Sequence, residues 1–339
     1  MRIRRPSISP PLRITLGALC LALGPVSRQH ESSVGRIAFA SHRDGNWEIY
    51  STTPDGRDQR RLTHLDSQDR FALWSPDGTR IAFASQRPTG WDLWVMHSDG
   101  TDARRLASGI LAKSFRQWSP DGRRILVAML IDGDVEIATV DAASGRVERL
   151  THSLGEDRDP MWAPNGSRIV FSSVRNGRSD IYLMRDDGTE VQALTNDQAE
   201  DVSPAWSPDG SSVAFASGSG ANRDLYLVRL PDRRRERLTE GAGVTKDASR
   251  WSPDGTRIAI QTAKDTNYDV QIVRLADRNR RVLASSPAFD GHFSWSPDGA
   301  HLAFISHRDG FDALYLADAG GGRVTRLTRT ASLNSDWSH

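Results

Sequence analysis

The chain ends on "NSDWSH", residues 334–339, and the reading of those letters decides the fold. They restart a unit met six times upstream: "LWSPDG" at residues 73–78, then "QWSPDG", "MWAPNG", "AWSPDG", "RWSPDG" and "SWSPDG". The motif tryptophans are Trp74, Trp118, Trp162, Trp206, Trp251, Trp295 and Trp337, spaced 44, 44, 44, 45, 44 and 42 residues apart. Seven of the ten tryptophans therefore share one repeat position, and a period of this length marks a repeat architecture.

After each of the first six motifs comes a period-two segment such as "RIAFAS", residues 80–85, then a polar loop, a second run such as "WDLWVM", an Asp-Gly turn and a closing "RRLT"-like run. This predicts four short antiparallel strands, A to D, per unit. In "SPDG", Ser, Pro and Gly fall where a type I turn prefers them, joining A to B. Both faces of the B strand are apolar, so each sheet must be covered on both sides. Seven such sheets covering one another form an all-β, seven-bladed propeller. The first unit, residues 35–63, has B, C and D strands but no A strand, and "NSDWSH" is an A strand without its blade. Joined, they complete the seventh sheet and close the ring, which hides two sheet edges. Residues 33–339 are then one propeller.

The pattern W-S-P-D-G, I-A-F-x-S, x-R-x-G, D-I-Y, D-G and L-T resembles the TolB-type, WD40-like propeller repeat of bacteria, over residues 34–339. The resemblance implies fold strongly and function weakly, because folds host many functions. TolB itself is a periplasmic partner of envelope proteins, with an extra N-terminal domain and six blades; this sequence shows neither. The same repeats also occur beside serine peptidases and in metal-dependent pectate-type lyases.

Residues 1–30 read as a signal peptide or N-terminal anchor: Arg2, Arg4, Arg5 and Arg13 precede the apolar residues 14–26, short for a membrane span. Export to the periplasm or beyond follows, with no membrane insertion of the mature domain. Cys20 is the sole cysteine and lies inside that run, so the mature chain has no disulfide. The net charge of +1 exerts no general pull on nucleic acid. The run "RRRER", residues 233–237, reads as a solvated C–D turn.

Glu48, Asp92, Glu136, Asp180, Asp224 and Asp269 recur at the head of strand C, too often for a catalytic acid. They read as structural, with Arg43, Arg87, Arg175 and Arg308 as candidate partners. Unique chemistry is expected where units differ, on the face carrying the B–C and D–A loops. Five residues before each Trp stand Asp69, Lys113, Asp157, Asp201, Lys246, Asp290 and Ser332. Three before stand Phe71, Phe115, Asp159, Ser203, Ala248, His292 and Asn334. Both sets are expected to converge on the ring axis at the mouth, with His64 and His152 in neighbouring D–A loops. Trp47 and Trp91 stand in B–C loops as anchors for a partner, or as packing for those loops.

The expected function is a non-enzymatic binding or scaffolding propeller, a monomer without cofactor, that takes an envelope protein at this mouth. A glycan or small molecule is the other ligand class. The alternative is a metal-dependent carbohydrate-active enzyme, with carboxylates from Asp157, Asp159, Asp201 and Asp290 around His292 and a base from His152 or Arg158. No nucleophile elbow, H-E-x-x-H or phosphate-binding loop is present.

Overall fold

The B strands are apolar on both faces, and both faces are buried: Ile81, Ala82, Phe83 and Ala84 are all 0% exposed. The computed structural model describes residues 35–338 except 113–116, 176, 221, 231 and 265–266, and leaves the side chains of 246–248 and 264 undescribed. The leader or anchor segment, Lys113, Phe115 and the side chains of Lys246 and Ala248 thus lie outside the described residues.

Seven four-stranded antiparallel blades are built as the repeat requires. Blade 1 runs Asp69–Trp74, Arg80–Arg87, Gly90–His97 and Arg104–Ile110. The inner strands of blades 2 to 6 are Gln117–Trp118, Asp157–Trp162, Glu200–Trp206, Val244–Trp251 and Asp290–Trp295. Blade 7 is the composite: Ser332–Trp337 pairs with Ile37–Ser41, which pairs with Glu48–Thr52 and then Arg60–Arg61. Trp337 faces Ile37 across the pair, and Ser338 N–H donates to the Arg36 carbonyl at 2.9 Å. The same strand packs against the inner strands of both blade 6 and blade 1, and Asp336 Oδ2 accepts the Trp74 backbone N–H at 2.9 Å. The ring is closed at its seam.

The repeated residues lock neighbouring blades together. After three of the turns an arginine stacks on the next blade's tryptophan: Arg80 over Trp118 at 4.8 Å, Arg124 over Trp162 at 4.7 Å and Arg257 over Trp295 at 5.0 Å. Indole N–H groups also donate across the gap, from Trp118 to the Leu73 carbonyl at 3.2 Å and from Trp295 to that of Arg250 at 3.0 Å. At the C–D turn the glycine is required twice over. Gly100 has φ of +88°, and a Cβ there would come within 2.6 Å of the Leu62 carbonyl in the preceding blade.

Two blades depart from the count. In blade 2, Ile110 sits opposite Met129, so the outer strand of blade 1 runs on into blade 2 and joins the two sheets. In blade 5, Val244 sits opposite Thr262, the place that Asp69 takes opposite Ser85. The equivalence drawn for Lys246 by counting back from the tryptophan therefore fails, because the inner strand carries extra residues between Val244 and Ser249.

Candidate functional site

The two inner-strand sets expected at the mouth have different fates. Asp69, Asp157, Asp201 and Asp290 lie opposite Ser85, Ser173, Ser217 and Ser306, and none of the four has any exposed surface. Ser85 Oγ donates to Asp69 Oδ1 at 2.6 Å, and Ser153 Oγ, from the preceding loop, to Asp157 Oδ2 at 2.9 Å. Burial pushes the Asp69 carboxyl up to about 6, with the Glu48 charge adding to the shift and the Ser85 bond opposing it. Burial likewise raises Asp157, Asp201 and Asp290. Each sits opposite a serine of its own blade, and Ser67 and Ser153 from the preceding loops also bond to Asp69 and Asp157. As placed here, none of the four reaches the surface of the mouth.

The head-of-C carboxylates are structural, with partners other than those expected. Arg61 Nη2 reaches Glu48 at 2.8 Å, Arg149 reaches Glu136 at 2.7 Å and Arg237 reaches Asp224 at 2.6 Å; Thr63, Thr151 and Thr239 add hydroxyl bonds. These Arg and Thr residues belong to the "RLT" runs. Of the loop arginines, Arg43, Arg175 and Arg308 stack on Tyr50, Tyr182 and Tyr315 at 4.3, 4.3 and 4.8 Å. Arg87 does both, stacking on Trp94 and lying 3.8 Å from Asp92. The "RRRER" run is largely a D strand, Arg234–Arg237, rather than a free turn. Arg235 stacks on Tyr226 and pairs with Asp197.

In the second set Phe71, Asp159, His292 and Asn334 keep exposed surface while Ser203 is buried, and all five share a repeated backbone irregularity. Phe71, Asp159, Ser203, His292 and Asn334 all have φ between 48° and 59°, and each lies where the A–B register slips. A left-handed non-glycine residue costs energy, and a bulge re-aims the side chain it carries. Around this ring Asn334 Nδ2 approaches His292 Nδ1 at 3.4 Å, and Ser335 Oγ donates to the His292 carbonyl at 3.2 Å. Asp159 and Ser203 line a crevice with Met161 and Arg250 whose volume is about 10 Å³. That is room for about one water and far below a ligand pocket.

The remaining candidates divide. His64 and His152 are exposed, but they stand in the D–A loops entering blades 1 and 3, so blades 1 and 2 lie between them. His292 is exposed beside Phe289, ring centroids 5.4 Å apart. Among the described residues, no group of three or more His, Cys, Asp or Glu is placed to hold a metal ion. Trp91 packs edge-on to Phe71 at 6.0 Å, and Trp47 lies under the Arg70 guanidinium at 4.8 Å; both are half-buried. Sequence reasoning missed the exposed apolar side chains on this face. Leu154, in the D–A loop entering blade 3, is 100% exposed, and Leu130 and Val174, at the mouth ends of adjacent B strands, are 59% and 37% exposed. The Leu154 loop lies against Val174, whose N–H donates to the Glu156 carbonyl at 3.0 Å. The available signal was a leucine in the polar stretch "HSLGED".

A closed seven-bladed propeller with loop-borne differences is the class this geometry defines. The chain belongs to the TolB beta propeller domain family, whose model matches residues 112–200 and 183–339. No curated protein matches it in sequence. Among solved structures it is similar to TolB from Acinetobacter baumannii, at 19% identity and a TM-score of 0.61, covering 90% of this chain and 83% of that one. Oligogalacturonate lyase from Vibrio parahaemolyticus is similar at 15% identity and a TM-score of 0.68, covering 84% and 86%. The propeller domain of the Trilobed protease from Pyrococcus furiosus, described as having an open velcro topology, is similar at 14% identity and 0.65, covering 87% and 93%. At these identities the likeness is one of fold.

Proposed function

We propose that this chain is an exported, envelope-located binding propeller that takes a partner protein on its loop-rich mouth and performs no chemistry itself. The observation that carries the reading is the apolar group on that face, fully exposed Leu154 with Val174 against its loop and Leu130 on the neighbouring blade. Exposed apolar clusters rimmed by polar loops mark interaction sites. The crevice at Asp159 and Ser203 favours a surface ligand over an enclosed one, because it is too small for a sugar. The blades supply rigidity, and the loops supply specificity.

The test is a photo-crosslinking amino acid placed at Leu154 and, separately, at Thr79 on the turn face, in the host envelope. A discrete adduct from position 154 alone is the expected result. Adducts from position 79 alone would move the interface to the opposite face. No adduct from either position, together with metal-dependent cleavage of an acidic polysaccharide by the purified protein, would replace the reading with an enzymatic one.

A further inference from the structure

Blades 6 and 7 present the same loop arginine in different electrostatic settings. In blade 6, Arg308 stacks on Tyr315, its Nε donates to Ser306 Oγ at 2.8 Å, and its Nη2 lies 3.2 Å from Asp290 Oδ1. Asp290 is the inner-strand residue opposite Ser306. In blade 7, Arg43 stacks on Tyr50 and donates to Ser41 Oγ at 3.1 Å in the same manner. Opposite Ser41, however, the inner strand supplies Ser332, so the built-in carboxylate is missing. Arg43 Nη1 bonds Gln59 Oε1 at 2.6 Å, while Nη2 is shut off from solvent with no hydrogen-bond partner. The adjacent Asp44 is already engaged by the Tyr50 hydroxyl and Arg61.

Two more guanidinium groups line the crevice at this point, between blades 6 and 7. Arg326 is held by Asp309 at 2.6 Å, and Arg329, exposed, makes no hydrogen bond or ion pair with any described residue. With Gln59 and Thr330 they line an open crevice of about 480 Å³, within the size range of small-molecule sites. The position after the "RLT" threonine is His64, His152, Asn196 or Glu240 elsewhere, and an arginine here.

We propose that this crevice binds an oxyanion, a carboxylate or phosphate group carried by a small molecule, which takes the electrostatic place that Asp290 fills in blade 6. Guanidinium groups suit such ligands because their fixed forks match two oxygens at once. The site is independent of the apolar face at Leu154.

The test is thermal unfolding and calorimetric titration of the purified protein with inorganic phosphate and with citrate, at constant ionic strength set by chloride. Wild type is expected to show a saturable rise in melting temperature, as any ligand of the native state produces. The stronger of the two probes identifies the preferred oxyanion. Arg329→Gln, at an exposed side chain, should weaken binding about tenfold or more. Ser332→Asp, which restores the internal carboxylate and keeps all three arginines, should abolish it. Binding equal to wild type in both variants, or no saturable response to either probe, would overturn the proposal. Should Ser332→Asp fail to fold, Arg329→Gln alone decides.

Discussion

At the A–B turns, Ser75, Ser119, Ser207, Ser252 and Ser296 each donate to the aspartate two residues on, at 2.5 or 2.6 Å. A few residues back along the inner strands, at the bulge, five blades keep one backbone conformation and carry Phe71, Asp159, Ser203, His292 and Asn334. One region repeats the side chain together with the geometry; the other repeats the geometry and varies the side chain. A side chain that recurs in most blades is held by what every blade must do, which is to turn and to pack on its neighbour. A side chain that changes while a costly backbone is kept is free to serve something that only one copy needs.

The sharpest way to break this comparison is at the seam. Removing residues 334–339 takes away the inner strand of blade 7 and opens the ring, and Trp337→Ala alone should cost roughly 3–5 kcal/mol. Chemical and thermal denaturation of both variants check this; a midpoint and melting temperature unchanged by the deletion would mean that blade 7 does not close the propeller.

Next comes the buried aspartate of blade 1. Its carboxyl, ordinarily near 3.8, is pushed up to about 6 in the folded chain, so the native state binds the proton more tightly than the unfolded state. Its contribution is therefore most favourable below about pH 4 and is lost as pH rises through about 6. Asp69→Asn should stabilise the protein at pH 7 by up to roughly 2–3 kcal/mol, at 1.36 kcal/mol per pH unit, and lose that gain by pH 4. Denaturation curves at the two pH values give the sign; a loss of stability at both would show that Asp69 serves as a needed anion.

A smaller effect belongs to the turns. Asp77→Ala removes the acceptor for the Ser75 hydroxyl and the Thr79 N–H and should cost about 1 kcal/mol. The corresponding change at Asp209 or Asp298 should cost the same. Smallest of all is His292→Gly, which relieves a left-handed non-glycine residue and should leave stability unchanged or raise it by up to about 1 kcal/mol. A clear loss there would make the His292 ring a structural element.

The propeller, its seven units and its seam were legible because the tryptophan and the turn are needed once per blade. Counting from the tryptophan worked wherever the inner strand has constant length. It failed at Val244, where added residues shift the register. The same counting put Asp69 and Phe71 together at the mouth. What separates them is the cover over Asp69, including Ser67 from the preceding loop, and no spacing rule reports cover. Arg43 was misassigned for a related reason: stacking on Tyr50 competes with pairing to Glu48, and Arg61 from a strand thirteen residues further on wins the carboxylate.

The most direct measurement compares the two faces in one experiment. Leu154→Asp with Val174→Asp alters the mouth, and Asp209→Ala with Asp298→Ala alters the turns; all four side chains are exposed. Each double variant is first shown to fold, and each is then assayed with wild type for capture of the same partner from native envelopes. Capture lost about tenfold or more in the mouth variant and kept in the turn variant is the predicted result. Capture kept in the mouth variant and lost in the turn variant would contradict the account.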